Sequence, residues 1–282
     1  MVKIFSDSTC DLSNELCERY GITIIPLHIV LGDKEYRDGL EITPEEIYSW
    51  SDANKTTPKT SAVSYDDAVE LMQPVIDSGD EIIAFTISEN MSTTGNVLRM
   101  AAQGMEAEDK ITVIDSRSLS TGIGLLVIEA AVLASEGKSR DEIKTIIDKL
   151  IPKVRASFVV DTLTFLHRGG RCSGLAAMAG GVLKLHPKIE VKDGVMGAGK
   201  KYRGRLSAVI ENYAKEMQED LLHARKARVF ITHSGVDESI EKQVKDFLLS
   251  LNYFDEILIT RAGGVVSSHC GPGTLGVLYI TE

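Results

Sequence analysis

The chain has 282 residues, 43% hydrophobic and 26% charged, enough for one large or two medium domains with a real core. Its 41 acidic and 31 basic side chains give a formal charge of −10, which argues against a general nucleic-acid or anionic-membrane binder. Four cysteines without metal-ligand spacing, no signal-peptide pattern and no bilayer-length apolar run predict a cytoplasmic protein with reduced thiols, no metal and no stable membrane insertion.

Short β-type runs alternating with helical patterns predict parallel βαβ units. Val2–Phe5 reads as a first strand, followed by the polar loop Ser6-Asp7-Ser8-Thr9, a helix near Leu12–Tyr20 and an apolar strand over Ile22–Val30. From Tyr36 to Ser64 the pattern is irregular, apart from a helix opened by Thr43-Pro44-Glu45-Glu46, a good cap with proline at the first helical position. Helix Tyr65–Ser78, strand Glu81–Ile87, helix Gly95–Gly104, strand Ile111–Ile114 and helices near Gly122–Ser135 and Arg140–Leu150 complete a first half. Pro152 marks the expected boundary, dividing residues 1–152 from 153–282.

Beyond Pro152 the pattern predicts a strand at Ser157–Val160, a helical turn at Leu163–His167 and the loop Arg168-Gly169-Gly170-Arg171. A small-residue helix spans Leu175–Leu185, and Asp193-Gly194 signals a hairpin after Lys188–Val191. A long helix over Leu206–Arg225 and another at Ile240–Leu251 intervene among strands near Arg228–Thr232, Glu256–Thr260 and Leu275–Thr281. The expected fold is therefore two α/β domains: a parallel sheet flanked by helices, then a second α/β domain with a mixed sheet.

Hydroxyl-bearing segments recur at apparent strand ends: Asp7-Ser8-Thr9, Thr60-Ser61, Ser88 with Ser92-Thr93-Thr94, Asp115-Ser116, and Ser118 with Ser120. Each alone reads as a cap or turn; Ser92 or Thr93, for example, is placed to cap the next helix. Together, at one edge of a parallel sheet, they would converge on a pocket suited to a carboxylate or small anion. Arg168-Gly169-Gly170-Arg171 and the segment Ser268-His269-Cys270-Gly271-Pro272-Gly273-Thr274 add cationic and titratable groups on glycine-bearing loops. Gly194 through Lys201 has Walker A spacing, but Lys201 replaces the metal-binding hydroxyl and the segment follows a hairpin, so nucleotide binding is not expected. No GxSxG elbow marks a serine hydrolase, although Ser92 and His269 remain available as a nucleophile and base.

These blocks, in this order and spacing, resemble the DegV family of bacterial fatty-acid-binding proteins along nearly the whole chain. The matching segments are Asp7 through Leu12, Lys59-Thr60-Ser61, Ile87-Ser88 through Thr94, Asp115-Ser116 through Gly122, Gly169 through Ser173, Lys184-Leu185-His186-Pro187, and Ser268 through Gly276. The resemblance implies a long-chain fatty acid, such as palmitate or oleate, between or beneath two α/β domains. Thr60, Ser92, Arg171 and His269 would stand at its carboxylate, with Ser61, Thr93, Ser120 and Arg203 as further contacts. It also implies a non-catalytic protein without cofactor, presenting the fatty acid to a separate kinase that makes an acyl phosphate. The sequence departs from the family pattern at Ala62-Val63 in place of Gln-Pro, at Thr93 in place of glycine and at Cys270 in place of threonine.

Burying a sixteen-carbon chain would contribute roughly 11 kcal/mol gross, at about 0.8 kcal/mol per methylene. Immobilising the ligand offsets much of that, and its carboxylate needs hydrogen-bond partners. Leu175 through Leu183, small residues around Met178, is a candidate tunnel wall. Two other readings stay open on the residues: an acyl- or phosphoryl-transferring enzyme using Ser92 and His269, and a binding module for another carboxylate.

Overall fold

Apolar runs bounded by polar turns form the first layer. The structure, a computed structural model, describes residues 1–173 and 185–282. Strand β1 (Val2–Asp7) is followed by helix α1 (Asn14–Tyr20), capped by Ser13, and by β2 (Ile22–Ile25), β3 (His28–Leu31) and β4 (Lys34–Arg37). The expected single strand Ile22–Val30 is two strands. Pro26 has no N–H for a ladder, so the chain leaves one sheet there and β3 starts another.

Helix α2 (Pro44–Asn54) opens with the expected cap at Thr43, which Glu46 completes as a capping box. After it come β5 (Lys59–Ser61), α3 (Tyr65–Asp77), β6 (Glu81–Thr86), α4 (Thr94–Gly104), β7 (Ile111–Asp115), α5 (Thr121–Ser135) and α6 (Arg140–Leu150). Strands β2-β1-β6-β7 make an all-parallel sheet. Its order reverses direction between β1 and β6, the switch point where loops diverge and a crevice opens. A small antiparallel sheet, β4-β3-β5, sits beside it and pairs Ile29 with Thr60.

The second half holds β8 (Val154–Val159), α7 (Thr164–Gly169), β9 (Cys172–Ser173), and the hairpin β10 (Leu185–Lys192) and β11 (Val195–Arg203) turning at Asp193-Gly194 as expected. Helices α8 (Leu206–Glu216) and α9 (Gln218–Leu221) replace the expected long helix, because the chain tightens at Met217 (φ −87°, ψ 2°). The chain ends with β12 (Arg228–His233), α10 (Glu238–Ser250), β13 (Glu256–Arg261), α11 (Gly264–Cys270) and β14 (Leu275–Ile280). These strands form a mixed sheet, β13-β12-β14-β8-β10-β11-β9. The candidate tunnel wall Leu175–Leu183 lies outside the described residues.

Helix α5 joins the layers. It is apolar on nearly every face, and Thr121 through Leu126 are all buried. Its cluster takes Ile4, Ile83 and Phe85 from the parallel sheet and Ala156, Phe230 and Leu278 from the mixed one. A buried side chain of this kind contributes about 1.5–3 kcal/mol, so this shared cluster is a principal bond between the two halves. The one acid of α5, Glu129, meets Arg225 at 3.0 Å and Arg228 at 2.5 Å on the far side of Pro152.

Candidate functional site

Beyond the carboxyl ends of β1 and β6 lies a cavity of about 480 Å³, within the roughly 300–1,000 Å³ of ordinary ligand pockets. Its apolar wall includes Leu27, Ile87, Met91, Leu119, Val265 and Val266, while Thr60, Ser61, Ser92, Thr93, Arg171 and His269 supply polar groups. Six of the eight residues expected to contact a ligand head group are therefore brought together. Ser120 and Arg203 are not: Ser120 is buried and donates to Asp11 at 2.5 Å, and Arg203 is exposed on β11, away from the cavity.

Thr60 and His269 meet in the cavity wall. Thr60 lies on strand β5 and His269 in the last turn of helix α11, not on the loops expected for them. A three-residue strand is too short to show a period, and Gly-Val-Val-Ser-Ser has low intrinsic helix propensity. The Thr60 hydroxyl is 2.8 Å from His269 Nε2. Among the described residues, His269 Nδ1 is buried without a hydrogen-bond partner. Burial, with a smaller contribution from the Arg171 charge, pushes the imidazole pKa down to about 4, so the ring is neutral at pH 7.

Gly169, the last residue of α7, lies against the other side of that ring. A Cβ on Gly169 would come 2.4 Å from His269 Nδ1, so only glycine leaves the imidazole its place. Gly170 follows in the left-handed conformation (φ 68°) and turns the chain out to Arg171. Arg171 is exposed at the cavity rim and donates Nη1 to the Gly169 carbonyl at 2.7 Å. Another rim charge, Glu89, is paired with Arg99.

Ser92 stands half-buried before α4, with Oγ 2.9 Å from Thr94 Oγ1 and accepting from Thr94 N at 3.3 Å. It therefore orders the helix entrance and faces the cavity at once. Thr93 adopts φ −90°, ψ 8°, a negative-φ conformation that does not require glycine. Ser92 has no hydrogen bond to His269, whose Nε2 is engaged by Thr60. The nucleophile–base pairing weighed from the sequence is not formed.

The other hydroxyl segments do not line this cavity. Ser88 donates to the Gly194 carbonyl at 2.7 Å and ties β6 to the β10–β11 hairpin. Ser116 accepts from Ser118 N within its own turn, and Thr9 donates to Asp7 at 2.5 Å. Three buried carboxylates that composition does not reveal, Asp7, Asp11 and Asp38, gather behind α11. Two of them belong to the Asp7-Ser8-Thr9-Cys10-Asp11 block, but nothing in the sequence pairs Asp38 with it.

The DegV family model, described as "Uncharacterised protein, DegV family", matches residues 1–282. The chain belongs to the DegV family. A DegV domain-containing protein of Caldanaerobacter subterraneus subsp. tengcongensis is 31% identical over 99% of this chain and 98% of its own. A DegV-family structure from Thermus thermophilus, described as fatty acid binding, superposes with a TM-score of 0.90 at 31% identity, covering 100% of this chain and 99% of that one. A stearic-acid-binding protein from Eubacterium ventriosum superposes with a TM-score of 0.87 at 30% identity, over 100% and 98% of the two chains. The chain thus has the DegV α/β fold, with a parallel sheet and a separate mixed sheet. Among the described residues no helix is long and apolar enough to cross a membrane, and no group of His, Cys, Asp and Glu could hold a metal ion.

Proposed function

We propose that this DegV protein binds one long-chain fatty acid, its carboxylate at Thr60, Ser92, His269 and Arg171 and its chain along the apolar wall. The observation that carries the reading is that those four residues, from four separate segments of the chain, line one largely apolar cavity. On this reading residues 1–152 supply the hydroxyl half of the clamp, and residues 153–282 supply the cation, the imidazole and part of the chain wall. Ser61 and Thr93 are the further contacts.

The neutral imidazole suits this role. With Nδ1 protonated it accepts a hydrogen bond from the Thr60 hydroxyl at Nε2; with Nε2 protonated it donates to Thr60 and frees that hydroxyl for a carboxylate oxygen. Arg171 supplies the charge at the rim, where a salt bridge need not be fully desolvated. The exposed rim also supports presentation of the carboxylate to a partner kinase, which would transfer phosphate to it as an acyl phosphate. The DegV protein then acts as carrier rather than catalyst, with no cofactor of its own and residence in the cytoplasm.

Native mass spectrometry and lipid extraction of the purified protein test the first part. A bound or readily loaded C16–C18 acid is the expected result, and failure to take up palmitate or oleate would overturn it. Acyl-phosphate formation by a fatty acid kinase, with and without the loaded protein, tests the second.

A further inference from the structure

The Asp7 through Leu12 block lies close to the cavity yet contributes nothing to its lining. Asp11 Oδ1 accepts from Gly263 N at 2.7 Å, and Asp38 Oδ1 accepts from Gly264 N at 2.7 Å. These are the first backbone groups of α11, among the four that a helix cannot satisfy internally. The second oxygen of each carboxylate is also held: Ser120 donates to Asp11 Oδ2 at 2.5 Å, and Ser8 donates to Asp38 Oδ2 at 2.8 Å. Asp7 accepts instead from Ile87 N at 2.8 Å and from Thr9, fixing the start of the loop that carries Ser92.

The contact is close-packed as well as polar. A Cβ on Gly264 would lie 2.5 Å from Ile29 Cδ1 and 2.9 Å from both Asp38 Oδ1 and Ile47 Cδ1. Helix α11 is only seven residues long, and Val265, Val266, His269 and Cys270 line the cavity. A short helix of poor propensity has little stability of its own. Its position is set by what holds its ends, and its first turn is held by Asp11 and Asp38.

We infer that Asp11 and Asp38 are positioning residues for the ligand site: they anchor the first turn of α11 so that its last turn presents His269 to Thr60. Through Ser8 and Ser120 the same carboxylates lock α11 to the turn after β1 and to the start of α5. Gathering three carboxylates in a buried place is costly. Burial, then their mutual repulsion, pushes Asp11 up to about 8 against the hydrogen bonds from Ser120 and Gly263, and burial raises Asp38 as well. Anchoring of the site helix gives that arrangement a use. Asp7 places the Ser92 loop by the same means, so the block acts on both sides of the cavity without touching it.

The consequence for fatty-acid binding rests on the function proposed above, whereas the placement of His269 does not. The test therefore has two readouts: palmitate affinity, and the imidazole ¹⁵N signals of His269 in lipid-free full-length protein. Asp38→Ala should weaken palmitate binding on the order of tenfold, the scale of one charge-assisted hydrogen bond, and should move the His269 signals. Asp38→Asn, which keeps one acceptor for Gly264 N, should restore part of both. Tyr213→Phe, a destabilising change in the far core, should lower the melting temperature without moving either readout.

Unchanged His269 signals in folded Asp38→Ala, or equal movement in Tyr213→Phe, would overturn the inference. His269 signals that move in a protein unable to bind palmitate would sustain it while overturning the fatty-acid reading. Should Asp38→Ala fail to fold, Ser8→Ala and Ser120→Ala each remove one hydrogen bond from the same carboxylates and take its place, with unchanged signals in both counting against the inference.

Discussion

Two cavities of nearly equal volume, about 480 and about 430 Å³, differ in what lines them rather than in size. The larger, at the parallel-sheet switch point, has an apolar wall and, among the described residues, one exposed cation, Arg171, and a neutral histidine. The smaller lies against the mixed sheet and is bordered by Arg117, Arg155, Lys188 and Lys192 with Glu190, Asp193 and Asp220. Several of its charges already satisfy one another: Arg117 meets Asp193 at 3.1 Å and Lys188 meets Glu190 at 2.7 Å. Volume alone therefore does not distinguish a cavity suited to an acyl chain. An acyl chain needs a wall whose atoms gain nothing from water, with polar groups confined to one end.

Replacing both hydroxyls at that end is the most severe way to break the contrast. Thr60→Val with Ser92→Ala should weaken fatty-acid binding by about 3–6 kcal/mol, the sum of two hydrogen bonds to a charged group. Calorimetric titration with palmitate measures it, and unchanged affinity would remove these residues from the head-group site.

The neutral imidazole predicts a pH effect of up to about 3 kcal/mol, from a pKa of about 4 in the fold against 6.5 for the ordinary group. The folded ring binds fewer protons than the unfolded one. Its contribution is complete above pH 6.5 and is lost as pH falls towards 4. Asp7 and Asp11, raised to about 6 and about 8, act with the opposite sign: their contribution is present at low pH and is lost as pH rises through those values. The comparison must therefore be with His269→Gln. The stability of the wild type relative to that variant, by denaturant titration, should fall between pH 6.5 and 4, and parallel profiles would contradict a buried neutral ring.

Gly169→Ala sharpens the contrast by steric means alone. The added methyl meets His269 Nδ1, so the ring must shift, at a cost of about 1–3 kcal/mol in stability or ligand affinity. Thermal melts and palmitate titration together report which. The smallest effect belongs to the other cavity: Arg155→Ala should leave fatty-acid affinity unchanged, and a tenfold loss there would show that the charged cavity takes part.

The alternation of elements, the Thr43 cap and the Asp193-Gly194 hairpin were legible in the sequence because each depends on local chemistry that a few residues contain. Part of the cavity's polar lining was legible through Thr60, Ser92, Arg171 and His269. The pairing of Thr60 with His269 was not, since 209 positions separate them and no local pattern relates a short strand to a short helix. Hydroxyls made the opposite error easy. Ser88, Ser116 and Ser120 have the same local signature as Ser92, yet each is spent on a carbonyl, its own turn or a carboxylate. A serine's neighbours in the chain do not show where its hydroxyl points.

By itself the sequence determined the α/β class, most element positions and the residue types available for a carboxylate, because periodicity, caps and turn chemistry act over a few residues. Only the tertiary structure decided that Pro26 sends the chain from one sheet to another and that α5 joins two sheets. It also decided that Asp11 and Asp38 hold the first turn of the helix whose last turn carries His269. Those outcomes depend on which distant groups can satisfy one another once water is excluded, and that is a property of the packed chain, not of any segment of it.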